Sequence, residues 1–414
     1  MQVPTARPGF SRWLAAIAAG GLAVRIVYTL VLTPHLRGLG DATYYHDLAN
    51  ALADGRGFVN PATGMATALH PPLFPLALTP SSLLGLDSYN AHRVVVSLIG
   101  TATVVCIGLL ARRVAGDRAG LLAAGVAALY PVLVSADSAV MSETLLGLLV
   151  VLAALAAYRG SGVLLGALIG LAVLTRGEAI VLLPLLLPWR QPKRAGAVVL
   201  ACLVVVAPWT IRNATTFDKP VLLSTNDGGL VAGANCASTY RGHDIGSWDI
   251  RCVPTKPAKD ESAASQNART QGFDYARDHA SRIPLVLAAR LGRTFELVQP
   301  VRQAQQAEGR ATGLEVAGAV SFWVLVPLGV YGLVLLRRRG TRIGPLLAPF
   351  VLAVAATIVG YGVPRFRHPA DVALAVLAGV ALDGLIGSAV ASPRSTGTGG
   401  LTRRLRRSAG RSTT

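Results

Sequence analysis

What most constrains this chain is a series of apolar runs, each long enough or nearly long enough to cross a bilayer. The first covers residues 13–33; others follow at 93–111, 119–136, 143–158, 162–175, 178–189, 195–211, 315–336, 343–361 and 371–390. Hydrophobic residues make up 52% of the 414 positions, and mean hydropathy is +0.51. An integral membrane protein is the class that fits, all-α, with about ten transmembrane helices and two large exported loops. The amino terminus imitates a signal peptide, with Arg7 and Arg12 before the apolar run. That run is longer than a secretory apolar core and carries Arg25, so it reads as an uncleaved helix.

The net charge of +18 raises the question of nucleic acid. Aromatic residues are only 6%, however, and the basic residues sit at the ends of apolar runs, where they orient helices against anionic lipid. No nucleic-acid partner is expected. With the amino terminus cytoplasmic, ten alternating crossings put Arg112, Arg113, Arg118, Arg159, Arg190, Lys193, Arg194, Arg337, Arg338, Arg339 and Arg342 on the cytoplasmic face, together with the basic tail at Arg403, Arg404, Arg406 and Arg407.

The chain then divides into six parts. Residues 1–33 are the amino terminus and first helix, and 34–92 the first exported loop, with a polar helix at 43–54 and an interfacial segment broken by prolines. Helices two to seven occupy 93–211, the large exported loop 212–314, and the last three helices 315–390. Residues 391–414 form a basic, disordered cytoplasmic tail. Gly162, Gly166 and Gly170, four apart, mark a surface for close helix packing.

This topology gathers charged residues at one face: Asp41, then Asp137 and Glu143 in "SADSAVMSE", Arg176 and Glu178 in "LTRGEAI", Arg212 in "PWTIRN", and Arg365, Arg367, His368 and Asp371 in "YGVPRFRHPAD". Arginine forks bind phosphate, and carboxylates act as bases or metal ligands. The mixture suits a phosphorylated, lipid-borne substrate.

At these residues the chain resembles a family. "GDATYYHDLANALADGRGF", "HPPLFPLAL", "MSETLL", "GLAVLTRGEAI", "PWTIRN" and "RFRHPA" are similar, in order, to the signatures of GT-C glycosyltransferases, above all the branch of protein O-mannosyltransferases and lipid-A aminoarabinose transferases. The resemblance spans about 40–375. It implies a polyprenyl-phosphate sugar donor, a lipid, glycan or protein acceptor reached from the exported side, and an essential acid in the first outer loop, a position matched by Asp41. One departure is that many relatives read Asp-Glu where this chain has Asp41 and Ala42.

The chemistry of the reaction asks for the same groups. Transfer displaces phosphate at the anomeric carbon, and a single displacement inverts that centre. Asp41 is the candidate base, and Arg176, Arg212, Arg365 and Arg367 are the candidates for the donor phosphate. Several assignments stay open. Glu143 either caps its helix or meets substrate or a divalent metal, and Asp137, Tyr44 and His70 are further candidate contacts. Arg176 and Glu178 either bind substrate or pair with each other. Arg365 and Arg367 either hold phosphate or anchor lipid headgroups, and Arg25 and Asp383 either pair with each other or face the protein interior. Cys236 and Cys252, in the outer segment "NCASTYRGHDIGSWDIRC", are expected to form a disulfide. A lipid or sugar-lipid flippase and a non-catalytic envelope assembly protein are the rival readings. A flippase would be expected to show internal repeats and charge near the midplane, and neither is evident.

Overall fold

The computed structural model of the protein describes residues 8–254 and 260–391. Arg7 and the expected tail beyond residue 391 lie outside the described residues. Secondary structure among the described residues is helical, apart from one isolated antiparallel bridge between Val59 and Ala66. In chain order the α-helices are α1 (Pro8–Ile26), α2 (Asp41–Ala53), α3 (Leu73–Leu83), α4 (Tyr89–Ala115), α5 (Asp117–Leu129), α6 (Pro131–Ala136), α7 (Glu143–Arg159), α8 (Gly162–Thr175) and α9 (Leu182–Leu186). They continue with α10 (Pro192–Thr216), α11 (Asn226–Ala234), α12 (Ala237–Tyr240), α13 (Glu261–Asp278), α14 (Ile283–Thr294), α15 (Pro300–Gln305), α16 (Thr312–Arg338), α17 (Gly344–Val359) and α18 (His368–Ala391).

Among the described residues, five helical segments are long and apolar enough to cross a membrane: Gly9–Leu32, Tyr89–Ala115, Pro192–Thr216, Thr312–Arg338 and Pro364–Ser388. The other expected crossings are helical too, but shorter or broken. Residues 119–136 split at Tyr130, which Pro131 holds extended at φ −65°, ψ 114°. Residues 178–189 form only a 3-10 turn at Gly177–Val181 followed by α9. Between α10 and α16, α13 ends at Asp278, the helix breaks at His279, and α14 restarts with Pro284 in its first turn.

Lipid tails are as apolar as leucine, so the helices are held by close contact and by buried polar bonds. The glycines of α8 supply the first. A Cβ at Gly166 would sit 2.1 Å from the Val198 carbonyl oxygen, and one at Gly170 would sit 2.8 Å from Val205, so glycine lets α8 and α10 touch backbone to backbone. Two buried arginines supply the second. Arg25 donates to Asp137 at 2.8 Å and to the Gly21 and Ala128 carbonyls, while Asp137 also accepts from Thr144 at 2.9 Å. Arg25 is therefore paired with Asp137, and Asp383 with Arg118, which rules out an Arg25–Asp383 pair. Arg93 has no carboxylate partner among the described residues. It donates instead to the carbonyls of Thr29, Thr33 and Ser138 at 2.7–3.0 Å, where a π-helical turn at Val27–Leu32 follows α1.

The segment between α1 and α4 and the segment between α10 and α16 are clasped together. Glu261, in the first turn of α13, accepts from Thr67 Oγ1 at 2.7 Å and from the Ala68 N–H at 3.0 Å, both in the first segment, and from Thr225 Oγ1 at 3.1 Å. Arg212 reaches the same strip, donating to the carbonyls of Thr67 and Phe58 at 2.9 and 3.1 Å. Cys236 and Cys252 are joined as a disulfide, with Cα atoms 6.2 Å apart.

Candidate active site

The helix bearing Asp41 begins two residues earlier than its sequence suggests. Gly40 caps α2 at φ 57°, a left-handed conformation that glycine adopts without steric cost. Asp41 thus enters the first turn of the helix, where the unpaired N–H groups favour a carboxylate. Ala42, Tyr45 and Ala49 of α2 are buried in one cluster with Phe74 and Leu78 of α3. Tyr45 packs edge-on to Phe74, with ring centroids 4.9 Å apart, and this fixes the roll of the helix.

Asp41 is 31% exposed and faces two partners: His70 Nε2 lies 3.2 Å from one carboxylate oxygen, and both Nη atoms of Arg365 lie 3.4 Å from the other. Arg365, from the 3-10 turn Pro364–Arg367, also donates to the Tyr361 hydroxyl at 2.8 Å. Its Nε lies 3.8 Å from Glu143, and Nη1 lies 3.7 Å from Glu308. Glu143 opens α7 and is held at 2.8 Å by Arg176, whose Nε bonds Glu178 at 2.6 Å. The Phe366 ring lies near both guanidiniums, with Arg176 5.3 Å and Arg365 5.9 Å from its centroid. The starts of α2, α7 and α18 and the end of α8 therefore meet around Asp41. Burial works to raise the Asp41 carboxyl, but the attraction of His70, then of Arg365 and Arg176, prevails and holds it below the usual carboxylate range.

The structure brings Asp41, His70, Glu143, Arg176 and Arg365 together; the other candidates are engaged elsewhere. Asp137 is buried with Arg25. Arg212 ties down the segment between α1 and α4 through Phe58 and Thr67 and rests against Trp209, 5.0 Å from the ring centroid. Tyr44 turns its hydroxyl to Thr67 at 3.0 Å, although its ring lies edge-on to His70 at 5.3 Å. Arg367 is 1% exposed, bonded to Asp371 at 3.1 Å and to the Thr294 carbonyl, with its guanidinium 3.7 Å from the centroid of Phe322. Arg176 and Glu178 do pair, as one of the two readings has it, and Arg176 holds Glu143 as well.

Two residues of the site went unnoticed in the sequence. Glu308 accepts the Ala42 N–H at 3.2 Å, sharing this first-turn donor of α2 with the Leu39 carbonyl, and Arg310 approaches Glu143 at 4.0 Å. Burial and the nearby charge of Asp41 push the Glu308 carboxyl up. Gly309, at φ 66°, turns the chain between them, so that Glu308 lies beside Asp41 while Arg310 is buried against Glu143. Their one sequence signal is the pair of opposite charges about a glycine in "AEGRA". Among the described residues, no group of three His, Cys, Asp or Glu side chains is placed to hold a metal ion.

Residues 69–211 match the family model of dolichyl-phosphate-mannose-protein mannosyltransferase. No curated protein matches the chain in sequence. Among solved structures it is similar to the oligosaccharyltransferase AglB from Archaeoglobus fulgidus in complex with an inhibitory peptide and a dolichol-phosphate. That match has a TM-score of 0.56 and 14% identity, covering 92% of this chain and 51% of that one. The same archaeal enzyme in complex with zinc and sulfate gives a TM-score of 0.55 and 15% identity over 91% and 49% of the two chains. ArnT from Cupriavidus metallidurans bound to undecaprenyl phosphate matches over 92% of this chain and 79% of that one, at 16% identity and a TM-score of 0.46. The chain spans about half the length of the archaeal enzyme. It resembles the GT-C glycosyltransferases, sharing with the archaeal member a likeness of fold.

Proposed function

We propose that this is a multi-pass membrane glycosyltransferase that moves a sugar from a polyprenyl-phosphate donor to an acceptor hydroxyl. The observation that carries the reading is the meeting of Asp41 and Arg365, 324 residues apart, at a partly open position. There a base and a phosphate ligand stand side by side. The family-model match over residues 69–211 and the likeness to an archaeal oligosaccharyltransferase support it.

In this reading the acceptor O–H gives its proton to the Asp41 carboxylate as the oxygen attacks the anomeric carbon. The bond from that carbon to the phosphate oxygen breaks, and its electron pair leaves on the phosphate. Arg365 receives the growing charge, with Arg176 behind it. The polyprenyl phosphate leaves as a stable monoester anion, so no leaving-group acid is needed, and one displacement inverts the sugar carbon. Arg365 also links binding to base strength. While it faces only Asp41, Glu143 and Glu308, it helps keep Asp41 a weak base. A donor phosphate draws off part of its charge, and Asp41 becomes more basic as the substrate seats.

The placement follows the charge rule: about ten crossings, both termini cytoplasmic, the site on the exported face, and the two outer segments at 34–92 and 212–314 covering it. The test is purified protein incubated with a panel of radiolabelled polyprenyl-phosphate sugars. One sugar is consumed by wild type, and Asp41→Asn loses at least about 10²-fold while inserting normally. A variant that keeps more than about a tenth of wild-type turnover rejects Asp41 as the base.

A further inference from the structure

The loop closed by the Cys236–Cys252 bond carries no member of the charged cluster, yet it is built to stay in one place. Arg293 of α14 donates to the carbonyls of His243 and Ile245, the second at 2.7 Å. At Gly246 the chain turns with φ 77°, and a Cβ there would stand 2.7 Å from the Arg290 nitrogen, so glycine lets the loop lie directly on α14. Trp248 is fixed from the other side, by α11. Its indole N–H donates to the Gly229 carbonyl at 3.0 Å, and the next N–H, of Asp249, donates to the Gly233 carbonyl at 3.0 Å. The ring fills the space over Gly233, where a Cβ would come within 2.1 Å of it.

What this loop holds in turn is the stretch of chain just before Arg365. Between α17 and the 3-10 turn Pro364–Arg367, the backbone donors of residues 362 and 363 find their partners in the segment between α10 and α16. The Gly362 N–H donates to the Gly246 carbonyl at 2.7 Å, and that of Val363 to Thr294 Oγ1 at 3.2 Å. Three rings stand in a row beside them. Trp248 lies 6.2 Å from Tyr361, and Tyr361 meets Phe366 edge-on at 5.0 Å. The Tyr361 hydroxyl then accepts from Arg365 at 2.8 Å, whereas the contacts of Arg365 with carboxylates are 3.4 Å or longer.

We infer that Trp248 is a positioning residue for Arg365, acting through Tyr361. The inference rests on the glycosyltransferase reading. A guanidinium with only loose ionic contacts takes its direction from its one short bond, and here that bond ends on a neutral hydroxyl. A hydroxyl orients the fork without cancelling its charge, so the charge stays available to a departing phosphate. The aim of the hydroxyl depends on the Tyr361–Gly362 backbone, which Gly246 and Trp248 hold from the outer segment. A misplacement of about 1 Å at a reacting centre can cost on the order of 10²-fold in rate.

The experiment uses the full chain in detergent, with the radiolabelled polyprenyl-phosphate sugar that wild type consumes as donor. Trp248→Ala lowers kcat roughly ten- to a hundredfold and changes donor KM less, because the charge that Arg365 meets grows in the transition state. Tyr361→Phe removes only the hydroxyl and lowers kcat in the same way at unchanged Tm. Adding Arg365→Lys to Trp248→Ala costs nothing beyond the larger single loss, since both act on one contact. Hydrogen–deuterium exchange gives a readout apart from activity: the peptide holding Gly362 exchanges faster in Trp248→Ala than in wild type. The inference is overturned if Trp248→Ala or Tyr361→Phe keeps kcat within about threefold of wild type, or if the losses of Trp248→Ala and Arg365→Lys multiply. Unchanged exchange at Gly362 overturns it as well, whatever the rates. Should wild type consume no donor while that exchange still rises in Trp248→Ala, the glycosyltransferase reading falls and the mechanical link from Trp248 to the Arg365 segment stands.

Discussion

Arg365 and Arg367 stand two residues apart on one 3-10 turn and do opposite work. Arg367 is closed in, with bonds near 3.1 Å to Asp371 and to the Thr294 carbonyl and an aromatic ring against its guanidinium. Arg365 is 18% exposed and touches three carboxylates, none closer than 3.4 Å. Nearby carboxyls differ in the same way. Asp41, facing Arg365, is held low, whereas Glu296, 3.5 Å from Arg367, is pushed up to about 7 by burial, since Arg367 is already engaged by Asp371. The contrast teaches that a group meant to receive a ligand must be free to exchange partners. A tight pair holds structure, and a loose one leaves charge available.

The largest expected effect would break this contrast most directly. Arg367→Met leaves Asp371 buried without its cation and costs about 3–5 kcal/mol of stability, whereas Arg365→Met costs little. Thermal melts of both variants check this, and equal losses would erase the distinction. Next comes Glu296. Its carboxyl is raised from 4.5 to about 7, so the neutral form is favoured in the fold. Stability is fullest below pH 4.5 and falls as pH rises through 7, by roughly 3 kcal/mol in all. Glu296→Gln should flatten that slope, and an unchanged profile places the carboxyl elsewhere on the scale. Asp41 carries the opposite sign: its contribution is present above about pH 4 and is lost only in more acid solution. The smallest effect sharpens the comparison. Arg365→Lys should cost about ten- to a hundredfold in donor use at unchanged Tm, since lysine lacks the fork, and Arg212→Lys should leave donor use as it is. Kinetics of the two lysine variants decide it, and equal donor use would move the phosphate ligand away from Arg365.

Much of this was legible in the sequence, for definite physical reasons. Long apolar runs report helices because nothing else satisfies backbone groups in lipid. Asp41, Glu143, Arg176 and Arg365 stood out because charge at the edge of such runs is expensive. The same rule overcounted. Arg212, Arg367 and Asp137 are charged and sit at span edges for equally costly reasons, but they are engaged with carbonyls, with Asp371 and with Arg25 respectively, and only three-dimensional packing distinguishes the two uses. Glu308 and Arg310 escaped because they lie in an ordinary polar stretch, "QQAEGRATG", where charge is cheap and carries no signal. Read as one span, 119–136 ran through Pro131 and so passed over the break there, and the start of α2 was missed because Gly40 has no side chain to announce a cap.

The Glu261 clasp has a consequence in time. Thr67 and its acid partner are 194 residues apart, so on a ribosome adding about 5–20 residues per second the segment between α1 and α4 waits some 10–40 s for the carboxylate that fastens it. Over that interval the strip from Phe58 to Ala68, which also depends on Arg212, is without its bonds, and Asp41 lacks the neighbours supplied by residues 308 and 365. Maturation is therefore a late event, completed only when the chain is nearly whole. A nascent chain halted before residue 261 should expose this strip to protease, and one released at full length should protect it. Equal cleavage of both would mean that the strip is held by something other than the clasp.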